Sequence, residues 1–167
     1  MFDSLDAEFH FDRDVCARPE NAKCPQFWTQ EDDGLSMEWT GVLWMNPPYG
    51  RELRKWMAKA HEAARHGATV VCLIPARTDT KWFQGYCVAG EIRFIKGRLR
   101  FSNHEHSAPF PSAIVVFRPQ FEGGPKVVFV KQDWGVRREP CTGASSAAKG
   151  AGSVASTQGK RGSAEAA

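Results

Sequence analysis

Apolar residues recur along this chain at two spacings, and each spacing predicts a different element. Phe2, Leu5 and Phe9 fall three to four residues apart, so Met1–Ala7 reads as the end of a helix. Glu8–Val15 then reads as a short strand ending in acidic residues. Gly41–Met45 is a compact apolar strand that stops at Asn46-Pro47-Pro48. Within Glu52–His66, Leu53, Trp56, Met57, Ala60 and Ala64 share one face, which predicts an amphipathic helix closed by Gly67. Ala68–Ile74 is a buried strand broken by Pro75, and Thr78–Cys87 is a short helix that Thr78 or Asp79 would cap. Glu91–Ile95, Ala113–Phe117 and Val127–Lys131 complete the strands. The turn-rich Pro119–Pro125 joins the last two, which predicts a C-terminal antiparallel hairpin.

Strands alternating with helices predict a three-layer α/β fold with a mostly parallel sheet. In such sheets ligands bind at the carboxyl ends of the strands. That rule directs attention to Asp12 and Asp14, to Asn46–Tyr49 and to Pro75–Asp79. A single domain is expected over residues 1–139. From Pro140 to Ala167 the chain is rich in Gly, Ala, Ser and Lys with Val154 as its one large aliphatic residue, so this segment is expected to be a disordered tail. The opening is abrupt, and a segment ahead of Met1 is one expected source of anything the domain lacks.

Composition changes this picture little. The 22 basic and 19 acidic residues leave a net charge of +3, so any basic surface must be local. Cys16, Cys24, Cys72, Cys87 and Cys141 are odd in number and form no CxxC pair, which excludes a zinc ribbon and a dithiol redox motif. A reducing, cytoplasmic setting is expected. No apolar run approaches the roughly 20 residues that span a bilayer, and no secretory signal opens the chain, so no membrane partner is expected.

The chemistry concentrates in Asn46-Pro47-Pro48-Tyr49, directly after an apolar strand. An exocyclic amine on a base such as adenine is a poor nucleophile, because its lone pair is delocalised into the ring. Two acceptors aimed at its two hydrogens would localise that pair. The Asn46 side-chain oxygen can be one and the Pro47 main-chain carbonyl the other. The prolines fix φ and add no competing N–H. Tyr49 offers a flat face on which an extruded base can stack. The structural alternative is a proline turn with Tyr49 packed as a lid.

Several collinear blocks then resemble one family. Trp44-Met45-Asn46-Pro47-Pro48-Tyr49-Gly50-Arg51 is similar to the phage-type DNA N-6-adenine methyltransferase (Dam) family, as are Phe11–Ala17, Glu20–Cys24 and Leu73–Thr80. Gly97–Phe101 and Ala108–Ala113 continue the match, so that the resemblance covers roughly Phe2 to Phe117. It implies a class I, Rossmann-like fold, S-adenosylmethionine as methyl donor, and double-stranded DNA as partner. It makes Asn46, Pro47, Pro48 and Tyr49 the catalytic loop. Asp14, with Asp12 as the alternate, stands where related enzymes place an acid against the cofactor, beside Cys16 and Ala17. Asp33 resembles the carboxylate that accepts from the cofactor's adenine amine. A solvated loop acid or a helix cap is the alternative for each aspartate. The chain lacks the FxGxG loop of the wider methyltransferase pattern and a Thr-Pro pair before the first helix; Asp14–Ala17 is a reduced form of the loop, or the piece lies upstream of Met1. A cytoplasmic bacterial setting with a phage or prophage origin, and protection of DNA from restriction, would suit the resemblance.

Further residues divide between DNA and structure. Arg77 could meet a phosphate or an ion-pair partner with equal reason. Lys96, Arg98 and Arg100 would share one face by strand alternation and, together with Arg93, form a basic cluster that could track a DNA backbone. His104 and His106 make a weak ligand pair, so no metal is expected. Two rival functions remain: methylation of an RNA base or a protein glutamine amide, and a degenerate fold that binds DNA without catalysis.

Overall fold

A computed structural model of the chain describes residues 1–100, 107–119, 126–131 and 136–137, by backbone alone from residue 129 onward. The order of elements is α1 (Phe2–Phe9), β1 (Arg13–Asp14), β2 (Val42–Met45), α2 (Leu53–Arg65), β3 (Thr69–Pro75), α3 (Lys81–Tyr86), β4 (Glu91–Lys96), β5 (Ser112–Phe117), β6 (Lys126–Lys131) and β7 (Val136–Arg137). The predicted tail, His104 and His106 lie outside the described residues.

The strands form one mixed α/β sheet in the order β1-β2-β3-β5-β4-β6-β7. Strands β1, β2, β3, β4 and β6 point one way, while β5 and β7 run against them. Two apolar layers cover its faces. On one, α2 buries Leu53, Trp56, Met57 and Ala60 with Phe83 of α3 against Met45, Cys72, Ile74 and Val115. Each large side chain so buried contributes about 1.5–3 kcal/mol. On the other, Leu5 of α1 joins Phe11, Trp44, Leu73, Ile95 and Ile114.

Four expectations are corrected. The helix that opens the chain runs to Phe9 rather than Ala7, and β1 is reduced to two residues. His10 ends the helix in the left-handed region (φ 57°), and its N–H donates to the Asp6 carbonyl at 2.7 Å. The hairpin of Ala113–Phe117 with Val127–Lys131 does not form, because β4 lies between those strands. It is antiparallel to β5 and parallel to β6. Turn residues signal that a chain reverses, not which strand it returns to, and both edges of β4 were open for pairing. The antiparallel neighbour of β6 is β7, which the apolar pattern did not predict.

The cap of α3 is Thr80, whose hydroxyl accepts from Phe83 N–H at 3.4 Å, not Thr78 or Asp79. Finally, β4 ends at Lys96 and Gly97 turns the chain at φ 91°, so Lys96, Arg98 and Arg100 are not alternating positions of one strand. Lys96, Arg98 and Arg100 are exposed, but Arg93 is 2% exposed. Its guanidinium holds Glu8 of α1 through two hydrogen bonds of 2.6 Å and Glu91 through one of 2.8 Å. Glu91 in turn accepts from Arg118 and Lys126.

Candidate active site

Parallel strands end together, so β1, β2 and β3 deliver their following residues to one edge of the sheet. Because β5 is antiparallel, it delivers its preceding residues there too: Ser112 pairs with Pro75, and Ala76 N–H donates to the Pro111 carbonyl at 2.9 Å. Cys16–Ala17, Asn46–Tyr49, Ala76–Asp79 and Ser107–Pro111 therefore meet at the carboxyl edge.

Asn46 follows the last residue of β2 and is exposed, between buried Met45 and buried Pro47. Its backbone N–H donates to the Cys16 thiol, which joins the loop after β1 to the loop after β2. Its side-chain oxygen accepts the Tyr49 hydroxyl at 3.1 Å. Tyr49 is half-buried, lies 3.5 Å by its hydroxyl from the Leu73 carbonyl, and meets the ring of Phe110 edge-on at a centroid distance of 5.5 Å. Burial pushes the Tyr49 phenol above its ordinary range, so it stays a neutral donor. Burial likewise raises the Cys16 thiol, and the nearby Asp14 raises it further. The edge is thus built from neutral dipoles, and no thiolate nucleophile is available from Cys16.

The loop after β1 is shaped by Asp14. Its carboxylate accepts from Cys16 N–H at 3.3 Å and Lys23 N–H at 3.2 Å, and the side chain is buried. Burial raises its pKa, opposed by those two hydrogen bonds and by Lys23. Ala17 N–H donates to the Trp28 carbonyl at 2.9 Å, and Phe27 bridges Asp14 in parallel, so Gln26–Trp28 extends the sheet beyond β1. The next loop packs back on the first. At Gly34 a Cβ would lie 2.3 Å from the Val15 carbonyl oxygen, and Trp39 Nε1–H donates to the Gly34 carbonyl at 2.7 Å. Only glycine allows that approach. Asp33, exposed and at φ 50°, is held beside it, and its carboxylate has no hydrogen bond among the described residues. An open hollow of about 330 Å³ lies between these two loops, lined by Arg18, Pro19, Glu20, Thr29, Gln30 and Glu31.

The chain is similar to known proteins. The family model described as DNA N-6-adenine-methyltransferase (Dam) matches residues 1–136. The chain belongs to this family. It is 36% identical over 119 residues to the DNA N-6-adenine-methyltransferase of Haemophilus phage HP1, covering 66% of this chain and 68% of that protein. It is also 36% identical over 92 residues to the DNA N-6-adenine-methyltransferase of Escherichia phage T1, covering 53% of this chain and 38% of that protein. Among solved structures, a predicted O-methyltransferase from Agrobacterium tumefaciens aligns with 59% of this chain and 44% of its own at 18% identity. The TM-score of 0.35 is too low to bear on the fold.

In this Dam-family chain the sequence-predicted residues divide. Cys16, Asn46 and Tyr49 come together, with Ala17 on the same edge and Asp33 on the loop packed against it. Asp12 does not join them. It stands at the amino end of β2, where its Oδ2 accepts from Val42 N–H at 2.7 Å, against the left-handed Gly41. Arg77 is exposed after β3, beyond the loop. Sequence reasoning gave Phe110 no role, although it lies in one of the collinear blocks; a ring between two prolines was the available signal.

Proposed function

We propose that the chain transfers a methyl group from S-adenosylmethionine to the exocyclic N6 amine of an adenine flipped out of double-stranded DNA. The work would be done by a class I, Rossmann-like domain over residues 1–139. One observation carries the reading: the exposed Asn46 oxygen, at the carboxyl end of β2, already accepts a hydrogen bond from a neutral donor.

Asn46 Oδ1 takes one amine hydrogen and the Pro47 main-chain carbonyl takes the other, which drives the nitrogen toward a tetrahedral shape with a localised lone pair. Both oxygens would stabilise the positive charge that develops on nitrogen as it bonds to the methyl carbon, whose bond to sulfur breaks with the electron pair left on sulfur; the surplus amine proton would then pass to solvent. Pro47 and Pro48 fix the loop, so its acceptors need not reorganise. Tyr49 supplies the face for the extruded base, and Phe110 braces its ring. Transfer by this route uses no titrating base beforehand, in keeping with the raised Cys16 and Tyr49 pKa values.

S-adenosylmethionine supplies an electrophilic methyl on sulfur when bound. One residue fits it directly: the exposed Asp33 carboxylate, which has no hydrogen bond among the described residues, suits an adenine amine. Cys16 and Ala17 would form the floor, with Asp14 holding their loop from behind, so that Asp14 acts as an organiser and Asp12 only as an anchor of β2. Labelled methyl from the donor, sorted among DNA, RNA and protein pools, tests the proposal. Label in DNA is expected. Label in RNA or protein, or a failure of the donor to bind in calorimetry, would replace it with one of the rival functions.

A further inference from the structure

Two short segments at the carboxyl edge concentrate positive charge. Residues 51–55 and 77–81 hold five basic side chains, Arg51, Arg54, Lys55, Arg77 and Lys81, against two acidic ones, Glu52 and Asp79. The whole chain carries only +3. All five are exposed. Lys55 is paired with Glu52 at 2.7 Å, but Arg51, Arg54, Arg77 and Lys81 have no ion-pair partner among the described residues.

Their positions in the fold are close. Arg51 lies two residues beyond Tyr49 and Arg54 sits in the first turn of α2, whereas Arg77 and Lys81 follow β3 into α3. Helices α2 and α3 pack against one another on the same face of the sheet, so both segments flank Asn46 on one side. At the start of α2 the N-cap Glu52 answers Lys55, but no acid among the described residues answers Arg54 in the first turn, where the helix dipole disfavours a cation. A polyanion over the edge would favour it.

We propose that Arg51, Arg54, Arg77 and Lys81 form a ledge that binds the phosphates of the DNA backbone beside the extruded adenine. The inference rests on the DNA-methylating function proposed above and adds which face of the domain the backbone follows: the α2 and α3 side, in addition to any phosphate met by Lys96 and Arg100. Gly50, where an added Cβ would meet nothing within 4 Å, leaves the approach from Tyr49 to this ledge open.

The test is the salt dependence of duplex binding by the full chain, as wild type, Arg51→Gln/Arg54→Gln, Arg77→Gln/Lys81→Gln, and Arg65→Gln as control. Arg65 is exposed in the last turn of the same helix, roughly 16 Å from Arg54 at 1.5 Å per residue. Each phosphate-binding side chain removed should make the slope of log K against log salt shallower by about 0.9. A change of about two is expected in each double variant, none in Arg65→Gln, and unchanged donor binding throughout. Equal changes in all variants would reduce the ledge to a general field and overturn it, as would unchanged slopes. Wild-type protein that neither binds nor methylates DNA would instead overturn the underlying function.

Discussion

At the amino end of the sheet Arg93 is 2% exposed, held by Glu8 and Glu91, with Arg118 and Lys126 closing the cluster around Glu91. At the carboxyl end Asn46 is exposed, and its neighbours are a neutral phenol and a neutral thiol. Both regions are polar, but the first holds buried, paired charges, whereas the second holds neutral dipoles, which on the proposed function face the target amine. The division follows from dielectric. A buried charge must be paired to be tolerated, and once paired it is no longer free to act. A prolyl carbonyl and an amide oxygen carry no charge to neutralise, which on the proposed function suits them to accept from an incoming amine. An enzyme that must raise the nucleophilicity of an amine, rather than remove its proton first, needs acceptors more than it needs bases.

The largest expected effect lies at the carboxyl end. Asn46→Ala should lower methyl transfer by about 10²–10³-fold, the usual loss when a transition-state partner is removed. Its thermal midpoint should stay close to wild type, because the residue is exposed. Arg93→Met should do the opposite. It strands Glu8 and removes one of the three partners of Glu91, with a stability loss of about 3–5 kcal/mol in denaturant unfolding, while donor affinity measured below the transition should be retained. An Arg93 variant that lost activity but not stability would erase the contrast between the two ends.

Acid sharpens the same comparison. Burial alone would raise the Glu91 carboxyl, but Arg93 and Arg118 outweigh it and hold it down to about 2. The Arg93 hydrogen bonds hold Glu8 below the usual range as well, against the opposing effect of burial. Both pKa values are depressed, so their stabilisation is fully present above the ordinary carboxylate value of 4.5 and is lost as pH falls from there toward about 2. At about 1.4 kcal/mol per pH unit, Glu91 contributes on the order of 3 kcal/mol. Unfolding titrations between about pH 5 and pH 2 should show the loss in wild type and a much smaller one in Arg93→Met/Glu91→Gln.

Gly34→Ala comes next. The added Cβ collides with the Val15 carbonyl, so the change should cost about 1–3 kcal/mol and weaken donor binding in calorimetry by displacing Asp33. Wild-type affinity in that variant would detach the loop from the cofactor. The smallest effect is expected of Tyr49→Phe, which keeps the stacking ring but removes the donor to Asn46. A several-fold fall in turnover, about 1 kcal/mol, is expected.

Local pattern made α2, β3 and the Asn46 loop legible, because one-face burial and a proline-terminated strand leave their mark within a dozen residues. Long-range choices left no such mark. The Glu8–Arg93 pair spans 85 positions, and in the sequence Arg93 is indistinguishable from its exposed neighbours Lys96 and Arg98. Strand order failed for the same reason: the apolar run Ala113–Phe117 states that it is buried on both faces, but not that β3 and β4 are its neighbours. At the site, Asn46 and Tyr49 were legible as a motif. The meeting of the Cys16 thiol with Asn46, and of the Phe110 ring with Tyr49, depends on strands ending together, which only the folded sheet defines.

Mass spectrometry of nucleosides from duplex DNA incubated with S-adenosylmethionine and either wild-type protein or Asn46→Ala tests the acceptor pair most directly. N6-methyladenine is predicted with wild type and almost none with the folded variant. Equal yields from the two proteins, or a methyl group on a ring nitrogen instead of the amine, would contradict a mechanism built on those two oxygens.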